Sequence, residues 1–292
     1  MAQVLNSIET EIRCRDDAHL RATVWRPAHS NGAVVQINSA LAVPRRYYQS
    51  FAQYLAERGF AVLCYDYRGI GESLYTHPRL SSALFSELGE QDMAAAVDYV
   101  KKQFPDHRHI VVGHSAGAAL FGLAPNCDAV DAVYAVAAPS AWTGHYDWPQ
   151  KLSVWSFFNV FIPLTTPLWG YFPGQFFGTG PLPKGIARQW SQWAQKPDYV
   201  VDNTGMAMRE HYHRCRQPMR FIHLTDDKLY APLRSVQAVA SFYQNAPRQI
   251  LSLSPKSVGV KKIGHFGFFR KHMPESVWQS AAAWMMNPQM PS

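Results

Sequence analysis

Gly113-His114-Ser115-Ala116-Gly117 follows an apolar, β-branched run over residues 109–112 and leads into the small-residue stretch Ala118-Ala119-Leu120. A serine with glycine two residues away on either side suits a sharp strand-to-helix turn. The small neighbours let strand and helix pass closely, and the hydroxyl stands beside the helix N-terminus. There the Ala116 N–H is free to stabilise an oxyanion. A serine hydroxyl is a poor nucleophile at neutral pH. It needs a base in hydrogen-bond reach, and the base needs an acid that fixes its tautomer and stabilises its cationic form. Two candidate acids, Asp226 and Asp227, follow the apolar run 219–224, where a parallel strand would deliver them. A candidate base, His265, lies in a glycine-flanked loop 38 residues beyond Asp227. These residue types point to nucleophilic acyl chemistry at Ser115.

The rest of the chain has to position that set. Alternation of apolar and polar residues over 3–13 and 19–26, around Arg15-Asp16-Asp17-Ala18, predicts an antiparallel hairpin. Buried or apolar strands are predicted at 33–37, 60–66, 109–112 and 129–138, and the sheet resumes with strands at 219–224 and 249–253. Helices are predicted at 46–58, 86–103, 233–243 and 275–286. Strands alternating with helices give an α/β class, a mostly parallel sheet flanked by helices. Chemistry in such sheets collects at the carboxyl ends of the strands, so the loops after Ile37, Asp66, Val112 and Ala138 line one crevice.

Residues 141–215 differ in character. Six of the nine tryptophans fall there, Pro and Gly cluster between 163 and 185, and no buried-strand run is present. This predicts a mostly helical cap, 141–215, inserted into a core of 1–140 and 216–292. Two readings of its tryptophans are compatible. One is packing of a small helical subdomain; the other is an apolar acyl pocket facing Ser115, for which Trp142, Trp155 and Trp169 are the candidates.

Of the 292 residues, 47% are hydrophobic and 17% charged, which indicates a globular chain. The net charge of +7 lacks the basic block interleaved with aromatics that a nucleic-acid surface requires, so nucleic acid is not an expected partner. Cys14, Cys64, Cys127 and Cys215 have no paired spacing and read as free thiols of a reducing compartment. The first residues lack a basic and apolar leader, so the expectation is cytoplasmic. The longest apolar run, 154–164, is too short to span a bilayer. No nucleotide, flavin or metal motif is evident, so no cofactor and no metal are expected. Gly69-Ile70-Gly71 lacks the third glycine of a dinucleotide fingerprint. His211-Tyr212-His213-Arg214-Cys215 reads as a connection from cap to core, not a metal site. Asp66 and Arg68 read as a structural pair, and His107 and His109 as solvated residues at a strand start.

The sequence resembles the α/β-hydrolases, in particular lid-bearing bacterial members near the monoacylglycerol-lipase and serine-aminopeptidase-like groups. The resemblance covers nearly the whole chain. It is carried by Arg46-Tyr47-Tyr48 with Phe51-Ala52, Tyr65-Asp66-Tyr67-Arg68-Gly69-Ile70-Gly71-Glu72-Ser73, Gly113-His114-Ser115-Ala116-Gly117, Asp226-Asp227 and Gly264-His265-Phe266. The order Ser, Asp, His is that of the superfamily. It implies Ser115 as nucleophile, His265 as general base and acid, and Asp227 as orienting acid, with Asp226 competing for that place. Many relatives carry His-Gly after the third strand where this chain has Asn38-Ser39-Ala40-Leu41. The second oxyanion donor is a backbone N–H, and the resemblance implies Ala40, with Leu41 behind it. The implied activity is hydrolysis of a small-molecule ester or thioester with an apolar acyl group. Acyl transfer from the same acyl-enzyme, or ligand binding without catalysis, are the alternatives.

Overall fold

The computed structural model describes residues 6–177 and 179–289. Its strands are β1 (Asn6–Arg13), β2 (His19–Arg26), β3 (Ala33–Asn38), β4 (Ala61–Tyr65), β5 (Arg108–His114), β6 (Ala132–Val136), β7 (Tyr171–Phe172), β8 (Leu182–Pro183), β9 (Met219–Leu224) and β10 (Arg248–Leu253). Eight form one sheet in the order β1-β2-β4-β3-β5-β6-β9-β10. The first two strands are antiparallel and the other six run parallel. Residues 3–5 of the expected hairpin lie outside the described residues. The helices are α1 (Gln49–Ala56), α2 (Ala94–Gln103), α3 (Ala116–Ala119), α4 (Gln150–Ser156), α5 (Ile162–Trp169), α6 (Lys184–Ala194), α7 (Glu210–Arg214), α8 (Leu233–Phe242), α9 (Gly264–Gly267) and α10 (Glu275–Met286).

The central strands are short apolar runs because helices cover both faces of the sheet. Every residue of β3, β4 and β6 is buried. This is the α/β-hydrolase fold. Three elements are shorter or tighter than the periodicity predicts. Residues Arg45–Tyr48 form a tight 3-10 turn ahead of α1, where Asp66 Oδ1 accepts the Arg45 N–H at 2.6 Å. A π-helical turn, Leu88–Met93, opens the helix that continues as α2. The helix after the serine, α3, has only four residues before a 3-10 turn at Phe121–Leu123.

Asp66 and Arg68 are not a pair. Asp66 Oδ2 accepts from Arg45 Nη1 at 2.6 Å, and Arg45 also reaches Glu9 and Glu72. Arg68 instead holds Asp92 and Asp16, each at 2.6 Å. Burial pushes the Asp92 carboxyl up to about 6, against the pull of the Arg68 guanidinium. Removing one partner of such a buried pair costs about 3–5 kcal/mol, because the other charge is stranded. His109 is not solvated either. It is buried in central β5, donates to Gln36 Oε1 at 3.1 Å, and burial pushes it down to about 3. All four cysteines are buried and free, yet Cys127 and Cys215, 88 residues apart, bring their sulfurs to 3.1 Å.

Between β6 and β9 the chain is mostly helical, with β7 and β8 as a two-stranded ribbon. Its rings cluster: Phe157 meets Phe172 and Trp190, and Phe158 meets Trp190 at a centroid distance of 4.8 Å. Phe85, outside this segment, joins through Trp190 and also meets Trp193.

Candidate active site

Strand β5 ends at His114, and Ser115 follows at φ 55°, ψ −122°. A serine held at positive φ stores about 1–3 kcal/mol of backbone strain and persists only where its surroundings over-determine it. Here the Ser115 N–H is taken by Val136 O of β6 at 2.9 Å. The flanking glycines allow the close approach. A Cβ on Gly113 would lie 2.6 Å from Ala118 Cα, and one on Gly117 would lie 2.2 Å from Asn38 O.

The segments that meet here leave the carboxyl ends of β3, β5, β9 and β10. The Ser115 hydroxyl lies 2.9 Å from His265 Nε2, and His265 Nδ1 lies 2.6 Å from Asp227 Oδ2. With Asp227 as acceptor, the proton belongs on Nδ1, which leaves Nε2 to accept from the serine hydroxyl. Asp227 Oδ1 accepts the Tyr230 N–H at 3.1 Å, and the Tyr230 ring stacks on His265 at 4.8 Å. Ser115, His265 and Asp227 are 9%, 6% and 3% exposed.

The adjacent carboxylate has a different place. Asp226 Oδ2 accepts the N–H groups of Ile263 and Gly264 at 2.8 and 2.9 Å, so it holds the backbone of the base loop and not the imidazole. Two more side chains hold the same loop. Tyr47 donates its hydroxyl to Phe266 O at 2.5 Å, and His114 Nε2 donates to His265 O at 2.9 Å.

His114 is one link of a longer chain. The Ala40 N–H donates to the Tyr48 hydroxyl at 2.7 Å, and the Tyr48 hydroxyl donates to His114 Nδ1 at 2.8 Å. Full burial, with His265 nearby, pushes His114 well below its ordinary range, which keeps Nδ1 free to accept. This corrects the expectation for Ala40: its N–H is already engaged. Among the described residues the Leu41 N–H has no hydrogen-bond partner, and Ala116, as first residue of α3, has none within its helix. Tyr48→Phe leaves the Ala40 N–H and His114 Nδ1 unpaired in a buried site. The expected cost is about 1–3 kcal/mol of stability, measured by urea unfolding against wild type. Tyr47, Tyr48 and His114 went unassigned in the sequence. Periodicity marks Tyr47 as packing and cannot show what a hydroxyl will touch.

The three candidate pocket tryptophans do not form one cluster. Trp142 is half-buried and meets His145 edge-on at 4.9 Å, whereas Trp155 and Trp169 are exposed. Among the described residues, no ring contact joins the three to each other or to His265. No group of three or more His, Cys, Asp or Glu side chains is arranged for a metal among the described residues.

Residues 29–169 match the family model described as serine aminopeptidase, S33. No curated protein matches the sequence. Among solved structures, an esterase from Pyrococcus furiosus superposes with a TM-score of 0.64 at 16% identity, covering 98% of this chain and 92% of its own. The open form of a lipase superposes with a TM-score of 0.63 at 15% identity, covering 97% of this chain and 100% of its own. Est1E from Butyrivibrio proteoclasticus, solved with ferulic acid bound, gives 0.59 at 17% identity, covering 95% and 98%.

Proposed function

We propose that the chain, whose fold is that of the α/β-hydrolases and whose residues 29–169 match the serine aminopeptidase, S33 model, is a serine hydrolase cleaving carboxylic esters or thioesters with an apolar acyl group. The observation that carries the reading is one imidazole bridging Ser115 Oγ and the Asp227 carboxylate at 2.9 and 2.6 Å. Ser115 attacks the substrate carbonyl while His265 Nε2 takes its proton. Asp227 keeps the second proton on Nδ1 and stabilises the imidazolium that forms. The N–H groups of Ala116 and Leu41 hold the oxyanion, each such donor being worth about 10²–10³ in rate. The imidazolium then protonates the departing alcohol or thiol. Water attacks the acyl-Ser115, giving one proton to His265, which passes it to Ser115 Oγ as the acyl–Oγ bond breaks and the acid is released. The balance closes with water alone.

Residues 141–215 act as a cap over this site in the same reading. Two contacts support it: Gly180 N–H to Ala42 O at 3.1 Å, beside the oxyanion loop, and Tyr146 hydroxyl to Tyr230 O at 2.9 Å, beside the base.

The test is covalent labelling with a fluorophosphonate, read by intact mass and peptide mapping, followed by a p-nitrophenyl ester series of increasing acyl length. One label on Ser115, absent from Ser115→Ala, is expected, with a preference for acyl chains beyond acetyl. A folded wild type that takes no label and turns over no ester sinks the proposal.

A further inference from the structure

Residues 150–169 form one continuous rod: α4, a π-helical turn at Phe157–Phe161, then α5. One side is buried at Val154, Phe158, Ile162 and Thr166, a spacing of four, and packs toward α6, where Ser191 donates to Phe158 O. The opposite side is also apolar but stands in water. Leu152, Trp155, Leu164 and Leu168 are exposed along it, with Trp148 just ahead. Leu164 and Leu168 are 61% and 75% exposed, and Trp148 is 70% exposed. An amphipathic surface helix turns polar residues outward; this one does not. Contiguous exposed apolar surface of this kind marks an interaction site.

Charge says what it meets. No charged residue occurs from 152 through 183, and no acidic residue from 148 through 197, where Lys151, Lys184, Arg188 and Lys196 are the charged groups. Arg79 adds a further cation where α5 ends, donating to Trp169 O at 3.0 Å. A second copy docked face to face would set two acid-free, cationic segments against each other. An anionic bilayer would meet the same surface with opposite charge. No helix among the described residues is long and apolar enough to cross a membrane, so the rod would lie in the plane of the interface. We infer that the exposed face of α4 and α5 is a docking surface for anionic lipid bilayers. The inference does not depend on the role of Ser115.

The experiment is co-sedimentation of the full chain carrying Ser115→Ala, so that no lipid is hydrolysed, with mixed phosphatidylglycerol/phosphatidylcholine vesicles and with pure phosphatidylcholine vesicles. Binding to the mixed vesicles is expected to exceed that to pure phosphatidylcholine by about tenfold and to weaken at high salt. The double substitution Leu164→Asp/Leu168→Asp is expected to lower binding by about tenfold or more, with an unchanged circular dichroism spectrum because both side chains stand in solvent. Absence of vesicle binding by the parent protein overturns the inference, as does equal binding by the double variant. Equal binding to both lipid mixtures overturns its anionic part. A parent dimer that the double variant dissolves, without vesicle binding, assigns the face to a second copy instead.

Discussion

Asp227→Asn is expected to lower kcat on a p-nitrophenyl ester by about 10³–10⁴-fold, whereas Asp226→Asn lowers it by about tenfold or less. The two residues are neighbours of the same type, so the contrast comes from geometry alone. Asp227 Oδ2 lies 2.6 Å from His265 Nδ1. An amide there can turn its NH2 toward Nδ1, which moves the ring proton to Nε2. That nitrogen can then no longer accept from the Ser115 hydroxyl. Asp226 meets only backbone N–H groups at Ile263 and Gly264 through Oδ2. An asparagine keeps a carbonyl oxygen for them and loses only the extra strength of a charged acceptor. Initial rates with active-site titration by fluorophosphonate separate kcat from the fraction of competent enzyme. A larger loss in Asp226→Asn would reverse the assignment.

The second large effect is on stability. Gly117→Ala is expected to cost about 3 kcal/mol and to abolish activity. The added methyl carbon would sit 2.2 Å from Asn38 O and 2.5 Å from Ser39 O. Both are backbone atoms at the end of β3 and in the loop after it, so no rotamer change relieves the contact. Either α3 or the loop after β3 must shift, and each carries part of the proposed chemistry. Gly267→Ala is the matched control. Its methyl would meet Ile263 at 3.5 Å, an ordinary contact, and the expected change is within about 0.5 kcal/mol. Urea unfolding of the two variants beside wild type reads the difference.

Much of this arrangement was legible because it depends on residue type at fixed spacing. Gly113 and Gly117 are small where backbone meets backbone, so they mark the turn at Ser115 without any knowledge of the sheet. The strands that deliver the acids and the base loop are apolar runs of ordinary length. What was not legible depends on partners far along the chain. Asp226 and Asp227 cannot be ranked locally, because consecutive residues leaving a strand point to opposite sides, and which side holds His265 is a tertiary fact. Ala40 was the natural donor until the Tyr48 hydroxyl occupied its N–H. Asp66 found Arg45 and not Arg68, because Arg45, in the tight turn ahead of α1, reaches across to the residue that follows β4. His109 stands at a strand start, which reads as solvated, but that strand lies between β3 and β6 with Gln36 beside it.

The base loop has a consequence for how the protein comes together. Its backbone is held by Asp226 from 38 residues away, by His114 from 151 and by Tyr47 from 219. Contacts of such long sequence separation close late, after local helices and neighbouring strands have formed. A refolding chain is therefore expected to regain its helical signal before His265 reaches its place. A chain in which the turn carrying Tyr47 has not yet docked lacks one of the three anchors that place the His265 imidazole.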